Sequence, residues 1–120
     1  MTIEKLKAGD RIVMGQACGE PSTLLDALIQ QGANIGQFRL FIATSFSGAF
    51  TPETSNAFSL YSMGAIGALR SMTKAGKLQV IPAHVSQIGP MISADIIGCD
   101  VAMIQVSPAN AALMRRALTE

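Results

Sequence analysis

The chain has 120 residues, the size of one domain, long enough to bury roughly two-thirds of its extended surface, and it is expected to form a single α/β unit throughout. Of these residues 49% are apolar and 14% charged, with a net charge of +1, which excludes both a nucleic-acid footprint and an acidic solubilising tail. No apolar run approaches the ~18 residues of a membrane span, and none of signal-peptide length follows Lys5 and Lys7, so a cytoplasmic protein without membrane contact is expected.

In chain order, Ile3 and Leu6 are expected to anchor a short helix that ends at the turn Gly9-Asp10. The run Arg11–Met14 reads as a strand, broken by a small-residue turn that holds Gly15 and Gly19. Pro21 falls in the first turn of a helix, where its missing N–H does no harm, and Leu24, Leu25, Leu28 and Ile29 make one apolar stripe. Gly32 is expected to cap that helix in the left-handed conformation. Such a loop aims backbone N–H groups and a partial positive charge outward, which suits a carboxylate, a thioester oxygen or a phosphate. A plain connector between strand and helix accounts for the same glycines.

Phe38–Ile42 is apolar enough for a parallel strand buried on both faces. The polar stretch Ala43–Ala57 follows, a long loop with one turn of helix after Pro52, and loops of that length in small domains tend to be functional. Phe58–Tyr61 reads as a strand, and Gly64–Lys74 as a helix with Ile66, Leu69, Met72 and Thr73 facing inward, stopped by Gly76. Leu78–Pro82 is a strand that must end or reach a sheet edge at Pro82, which cannot donate to a ladder. Val85–Ile97 holds a helix with Met91, Ile92, Ile96 and Ile97 as its apolar residues. Asp100–Pro108 predicts a buried central strand, and Asn110 is placed to cap a last helix, Ala111–Leu118. Strands alternate with helices, which predicts an α/β fold: an open, mostly parallel sheet with flanking helices.

Ligands of open parallel sheets gather at the C-terminal strand edge. The candidate substrate-binding residues are therefore Gly15, Gln16, Ala17, Gly19, Glu20 and Pro21 in the first loop, His84 and Ser86 after the fourth strand, and Ser107 after the last. No catalytic residue and no metal ligand is assigned. His84 is the only histidine and has no visible orienting carboxylate, so a plain loop histidine explains it as well as a catalytic one. Cys18 stands beside a helix N-terminus that would stabilise a thiolate, or simply fills the turn as a small buried residue, and Cys99 reads as core. Met63, Met72, Met91, Met103 and Met114 are core fillers first and an apolar ligand surface second, and Arg115 and Arg116 sit on a solvated helix face or against a ligand phosphate.

The ordered set Gly9-Asp10-Arg11-Ile12-Val13, Gly19-Glu20-Pro21, Gly64 with Arg70 and Gly76, Val80-Ile81-Pro82 and Ser86-Gln87-Ile88 carries a resemblance, closed by its most specific part, Asp100-Val101-Ala102-Met103-Ile104-Gln105-Val106-Ser107-Pro108. It resembles the N-terminal domain of the acetyl-CoA hydrolase/transferase family, the family I CoA-transferases that include 4-hydroxybutyrate CoA-transferase-like enzymes. The resemblance implies a CoA-transferase-like half, with CoA passing from an acyl-CoA to a carboxylate through a glutamyl-CoA thioester carried on a second domain. None of Glu4, Glu20, Glu53 and Glu120 matches that nucleophile, and Glu20 is implied to line the site. The chain is thus expected to be a truncated form, inactive alone, which departs from the family after Ser107-Pro108. No cofactor is implied beyond a coenzyme A thioester or small carboxylate as ligand. The low charge points to a covered surface, so a homo-oligomer or a separate C-terminal domain partner is expected. A non-catalytic small-molecule-binding or oligomeric scaffold module on the same fold is the alternative.

Overall fold

A computed structural model describes residues 3–54 and 56–108. Among the described residues five strands form one sheet: β1 (Arg11–Met14), β2 (Phe38–Phe41), β3 (Phe58–Ser62), β4 (Leu78–Val80) and β5 (Val101–Met103). Their order is β4-β3-β2-β1-β5, and every neighbouring pair is parallel. The expected fold class is therefore the observed one. Parallel neighbours need crossovers: helices α1 (Ser22–Ile35), α2 (Leu69–Lys74) and α3 (Val85–Ser93) supply three of the four, and the loop between β2 and β3 supplies the fourth without a helix. The chain steps outward from β1 to β4 and then returns to the far side of β1, so the strand order reverses between β1 and β5.

The register sets two unequal faces. Ile12, Leu40, Leu60 and Leu78 stand in line across the sheet on one face, where they bury Leu25 and Leu28 of α1 and Leu69 and Met72 of α2 in a single core. The long polar loop after β2 is tied into this core as well, because Phe50 is buried with its ring edge-on to Phe58 at 6.1 Å. The opposite face carries Arg11, Val13, Arg39, Phe41 and Tyr61, with the Arg39 guanidinium 4.7 Å from the centre of the Tyr61 ring. Helix α3 lies on that side and has no fully buried residue.

Several expectations are corrected. Ile3 and Leu6 are buried by a turn, with Leu6 N–H donating to the Ile3 carbonyl at 3.0 Å, and not by a helix. Gly32 does not end α1: it is buried inside the helix, where a Cβ would press on the Phe38 ring at 3.1 Å, and Gly36, at φ 134°, follows the last turn. A glycine read as a stop is here a gap for a neighbouring aromatic ring. Helix α2 begins only at Leu69, so Ile66 and Thr73 face solvent, and Pro52 opens a turn without helix. Ile96 lies beyond α3 and is exposed, while Ile97 is buried.

The largest correction concerns β5, a strand of three residues at the sheet edge and not a long central one. It is latched at its start by Asp100, whose two carboxylate oxygens accept from Arg11 Nε and Nη2 at 2.9 Å each, while the backbone N–H of Arg11 donates to Oδ2. Arg11 Nη1 also reaches Asp95. The side-chain and backbone hydrogen bonds from Arg11 hold the Asp100 carboxyl far below the usual carboxylate range. Gly98 lies directly beneath the guanidinium, where a Cβ would come within 2.1 Å of Nη1. Cys99, in the same turn, is exposed and not core. The cap at Asn110, helix Ala111–Leu118, Met114, Arg115 and Arg116 lie outside the described residues.

Candidate functional site

The loop from β1 to α1 is wound tightly. Gly15 leaves the strand with its N–H on the Met103 carbonyl at 2.9 Å, and Ala17–Gly19 form one 3₁₀ turn, with Ala17 at a positive φ of 51°. A Cβ on Gly15 would stand 2.5 Å from the Gly19 carbonyl oxygen, so this turn closes only over a glycine. Gly19 is different. Nothing lies within 4 Å of a Cβ built there.

The same tight winding turns the loop's donors inward. The N–H groups of Ala17, Gly19, Glu20 and Ser22 bond the carbonyls of Thr44, Gln16, Ala17 and Glu20. With Gly15 they remove five donors from the outward row expected for an anion cradle, and that expectation is corrected for these five. Cys18 is exposed on the turn and is not the small buried filler of the alternative reading.

Glu20 is buried, and among the described residues no cation pairs with it. Its Oε1 accepts from Ser45 Oγ at 2.9 Å and Ser47 Oγ at 2.8 Å, and its Oε2 from the backbone N–H groups of Phe46 at 3.2 Å and Ser47 at 3.3 Å. Four donors on one carboxylate satisfy the charge that burial would otherwise penalise. Nothing local in the sequence marks Ser45 and Ser47 as partners of Glu20. Their signal was the serine-rich composition of the loop, which does not say what the hydroxyls face. Ser45 also bridges to Gly67, so the loops after β1, β2 and β3 are tied together at one edge.

Because every strand runs the same way, all the candidate loops lie at the C-terminal edge of the sheet. They divide between two concave regions on either side of the β1–α1 loop. On the α3 side, a cavity of about 260 Å³ is lined by Gly15 and Gln16 from the loop, Val13, Met14 and Phe41 from strands, Ala43 and Met63 just beyond strand ends, and Val85 and Ile88 from α3. His84 and Ser86 flank Val85 and are both exposed. The backbone N–H of His84 donates to Gln87 Oε1 at 2.8 Å, and Gln87 N–H returns to the His84 carbonyl at 2.9 Å, which fixes the start of α3. On the other side, a cleft of about 300 Å³ runs between Pro21–Leu24 and Ile104–Val106, at the point where the strand order reverses, with Ser107 one residue further on. Gly15 and Gln16 thus meet α3, and Pro21 meets the segment after β5. Ala17, Gly19 and Glu20 line neither space.

The α3-side cavity is apolar, with Gln16 as its one polar side chain. Met72 and Met103 are core, whereas Met63 is half-buried in the cavity wall. Among the described residues, no group of three or more His, Cys, Asp or Glu side chains is placed to hold a metal ion, and no helix is long and apolar enough to cross a membrane.

Residues 2–112 match the family described as acetyl-CoA hydrolase/transferase N-terminal domain. Among solved structures, RipA from Yersinia pestis is similar with a TM-score of 0.73 and 26% identity, over 93% of this chain and 30% of that one. A structure of RipA carrying the E249D substitution is similar with a TM-score of 0.80 and 25% identity, over 92% of this chain and 28% of that one. The chain therefore spans less than a third of the length of these structures. No curated protein sequence matches it.

Proposed function

The chain belongs to the acetyl-CoA hydrolase/transferase family, and on that premise we propose that it supplies the pocket for the acyl end of an acyl-CoA, or for a small carboxylate, without supplying a nucleophile. The observation that carries this reading is the cavity of about 260 Å³ at the ends of β1, β2 and β3, roofed by α3. Its walls of Met14, Phe41, Met63, Val85 and Ile88 suit a thioester and its short chain better than a phosphate, and Gln16 is the donor able to meet a thioester or carboxylate oxygen. The exposed His84 and Ser86 at its rim, and Ser107 and Pro21 at the neighbouring cleft, extend the surface along which the rest of a CoA molecule would lie. No cofactor enters this reading; coenzyme A is the ligand.

A covalent acyl intermediate needs a carboxylate that is both reachable and surrounded by charge-stabilising donors. Glu20 has the donors but is buried with both oxygens occupied, and Glu4 and Glu53 are exposed. Titration of acetyl-CoA into the chain should therefore show binding, and a thioester-exchange assay with acetyl-CoA and acetate should show no turnover. Turnover that disappears in Glu20→Gln would overturn the assignment, and so would failure to bind any acyl-CoA.

A covered surface is favoured by a second observation. Phe46, Ile66, Val85, Ile104 and Val106 are all exposed, and they follow β2, β3, β4 and β5 at the same sheet edge. Large apolar side chains gathered on one edge favour contact with another folded surface, either a second copy or a separate C-terminal domain. Light scattering at about 100 μM, above the μM range of weak specific contacts, should give a mass larger than the monomer. A monomer at that concentration counts against the second copy. Both thiols are free and exposed, which fits the reducing cytoplasm.

A further inference from the structure

We infer that Glu20 is a positioning residue, one that fixes the two loop walls of the acyl cavity against each other without touching the ligand. The inference rests on the pocket assignment above and adds a specific part to it. Glu20 belongs to the loop whose first residues, Gly15 and Gln16, line the cavity on one side. Its four donors belong to the segment that follows Ala43, which lines the cavity on another side. One further bond joins the same two loops, from Ala17 N–H to the Thr44 carbonyl at 2.9 Å. Beyond it, the carboxylate of Glu20 is what joins them by hydrogen bonds among the described residues.

The chemistry of the clamp argues for position over bulk stability. A buried carboxylate without a cation is an expensive way to hold a surface loop, since an apolar side chain of the same volume would fill the site without desolvating a charge. What the carboxylate adds is direction: two acceptor atoms, each receiving two donors, define where Ser45, Phe46 and Ser47 sit relative to Glu20. A pocket whose walls are held in the bound geometry loses less entropy when its ligand enters. Glutamine in place of Glu20 can keep its oxygen on the N–H groups of Phe46 and Ser47 and turn its NH₂ toward Ser45 Oγ and Ser47 Oγ, which must then accept instead of donate. The negative charge that strengthens all four bonds is lost, and both hydroxyl protons need other acceptors.

The experiment uses the whole chain, with acetyl-CoA as titrant and amide hydrogen exchange read at Phe46, Ser47 and Leu40. Glu20→Gln should weaken acetyl-CoA binding about tenfold, the scale of one charge-assisted hydrogen bond, and speed exchange at Phe46 and Ser47 while Leu40, in the core strand, stays protected. Ser47→Ala is the second variant, because Ser47 is exposed and does not line the cavity, so its loss leaves the core intact. It should weaken binding about threefold, and Ser47→Thr, which restores the hydroxyl, should recover the wild-type affinity. A merely structural role would lower the melting temperature without this pattern of loss and recovery far below it. If wild type binds acetyl-CoA and Ser47→Ala binds equally well despite faster exchange at Phe46 and Ser47, the positioning role is wrong and the pocket stands. If wild type does not bind, the pocket assignment falls and the positioning role falls with it.

Discussion

Gly15→Ala should lower the melting temperature by about 5–10 °C and abolish acetyl-CoA binding. The cause is one distance: a Cβ at this position lies 2.5 Å from the Gly19 carbonyl oxygen, and that oxygen belongs to backbone that cannot rotate away as a side chain would. The turn must open, and opening it pulls on the bond from Gly15 N–H to Met103, which ties β1 to β5, and on the bond from Ala17 N–H to Thr44. Forcing extra volume into a closed site costs about 1–3 kcal/mol, and for a domain of this size each kcal/mol moves the melting temperature by several degrees. Binding suffers beyond stability, because Gly15 and Gln16 are themselves a cavity wall. Gly19→Val provides the contrast. It has open space around it and a backbone that accepts a side chain, so the melting temperature should stay nearly unchanged, and any loss of acetyl-CoA affinity would report a ligand passing over that residue. A Gly15→Ala protein that melts with wild type would show that the turn is looser than this geometry states.

The contrast between the two glycines shows what was legible in the sequence. Alternating apolar runs and helical stripes predicted five strands and the helices between them, and the order of motifs predicted the family, since both depend on local pattern and on spacing along the chain. Which glycine closes the turn depends on where a carbonyl four residues away comes to lie, and no local pattern encodes that. The same reason accounts for Gly32, whose missing side chain makes room for Phe38. Strand β5 departs from its sequence pattern for a different reason. Its unbroken apolar run fits a central strand, but centrality is a property of the strand order, and β5 has β1 on one side only. Asp100, in sequence only the first residue of a motif, becomes intelligible when Arg11 is placed beside it. Glu20 was singled out by its neighbours Gly19 and Pro21 as a residue of the site, but the serines that occupy it stand 25 and 27 positions later. Long-range hydrogen bonds of this kind are visible only once the chain is folded.

Leu28→Ala should be among the most damaging single truncations on α1. Leu28 is fully buried, one turn after the equally buried Leu25, and both rest on the sheet face formed by Ile12, Leu40 and Leu60. Removing the side chain loses its transfer free energy and leaves a cavity between helix and sheet that rigid strands cannot close, at a cost of about 2–5 kcal/mol. Against the 5–15 kcal/mol that holds an ordinary domain together, roughly a third to a half of the stability goes with one residue. The other face of the sheet predicts the opposite result for a similar change. Val85 is 64% exposed on α3, which has no fully buried residue, so Val85→Ser should shift stability by no more than about 0.5 kcal/mol while making the cavity wall more polar and weakening acetyl-CoA binding. Urea unfolding of the two variants decides the matter: a large drop in midpoint with an unchanged slope for Leu28→Ala, and a wild-type midpoint for Val85→Ser. Equal midpoints for the two would mean that the sheet is packed equally on both faces, and α3 would then be part of the core and not the roof of a pocket.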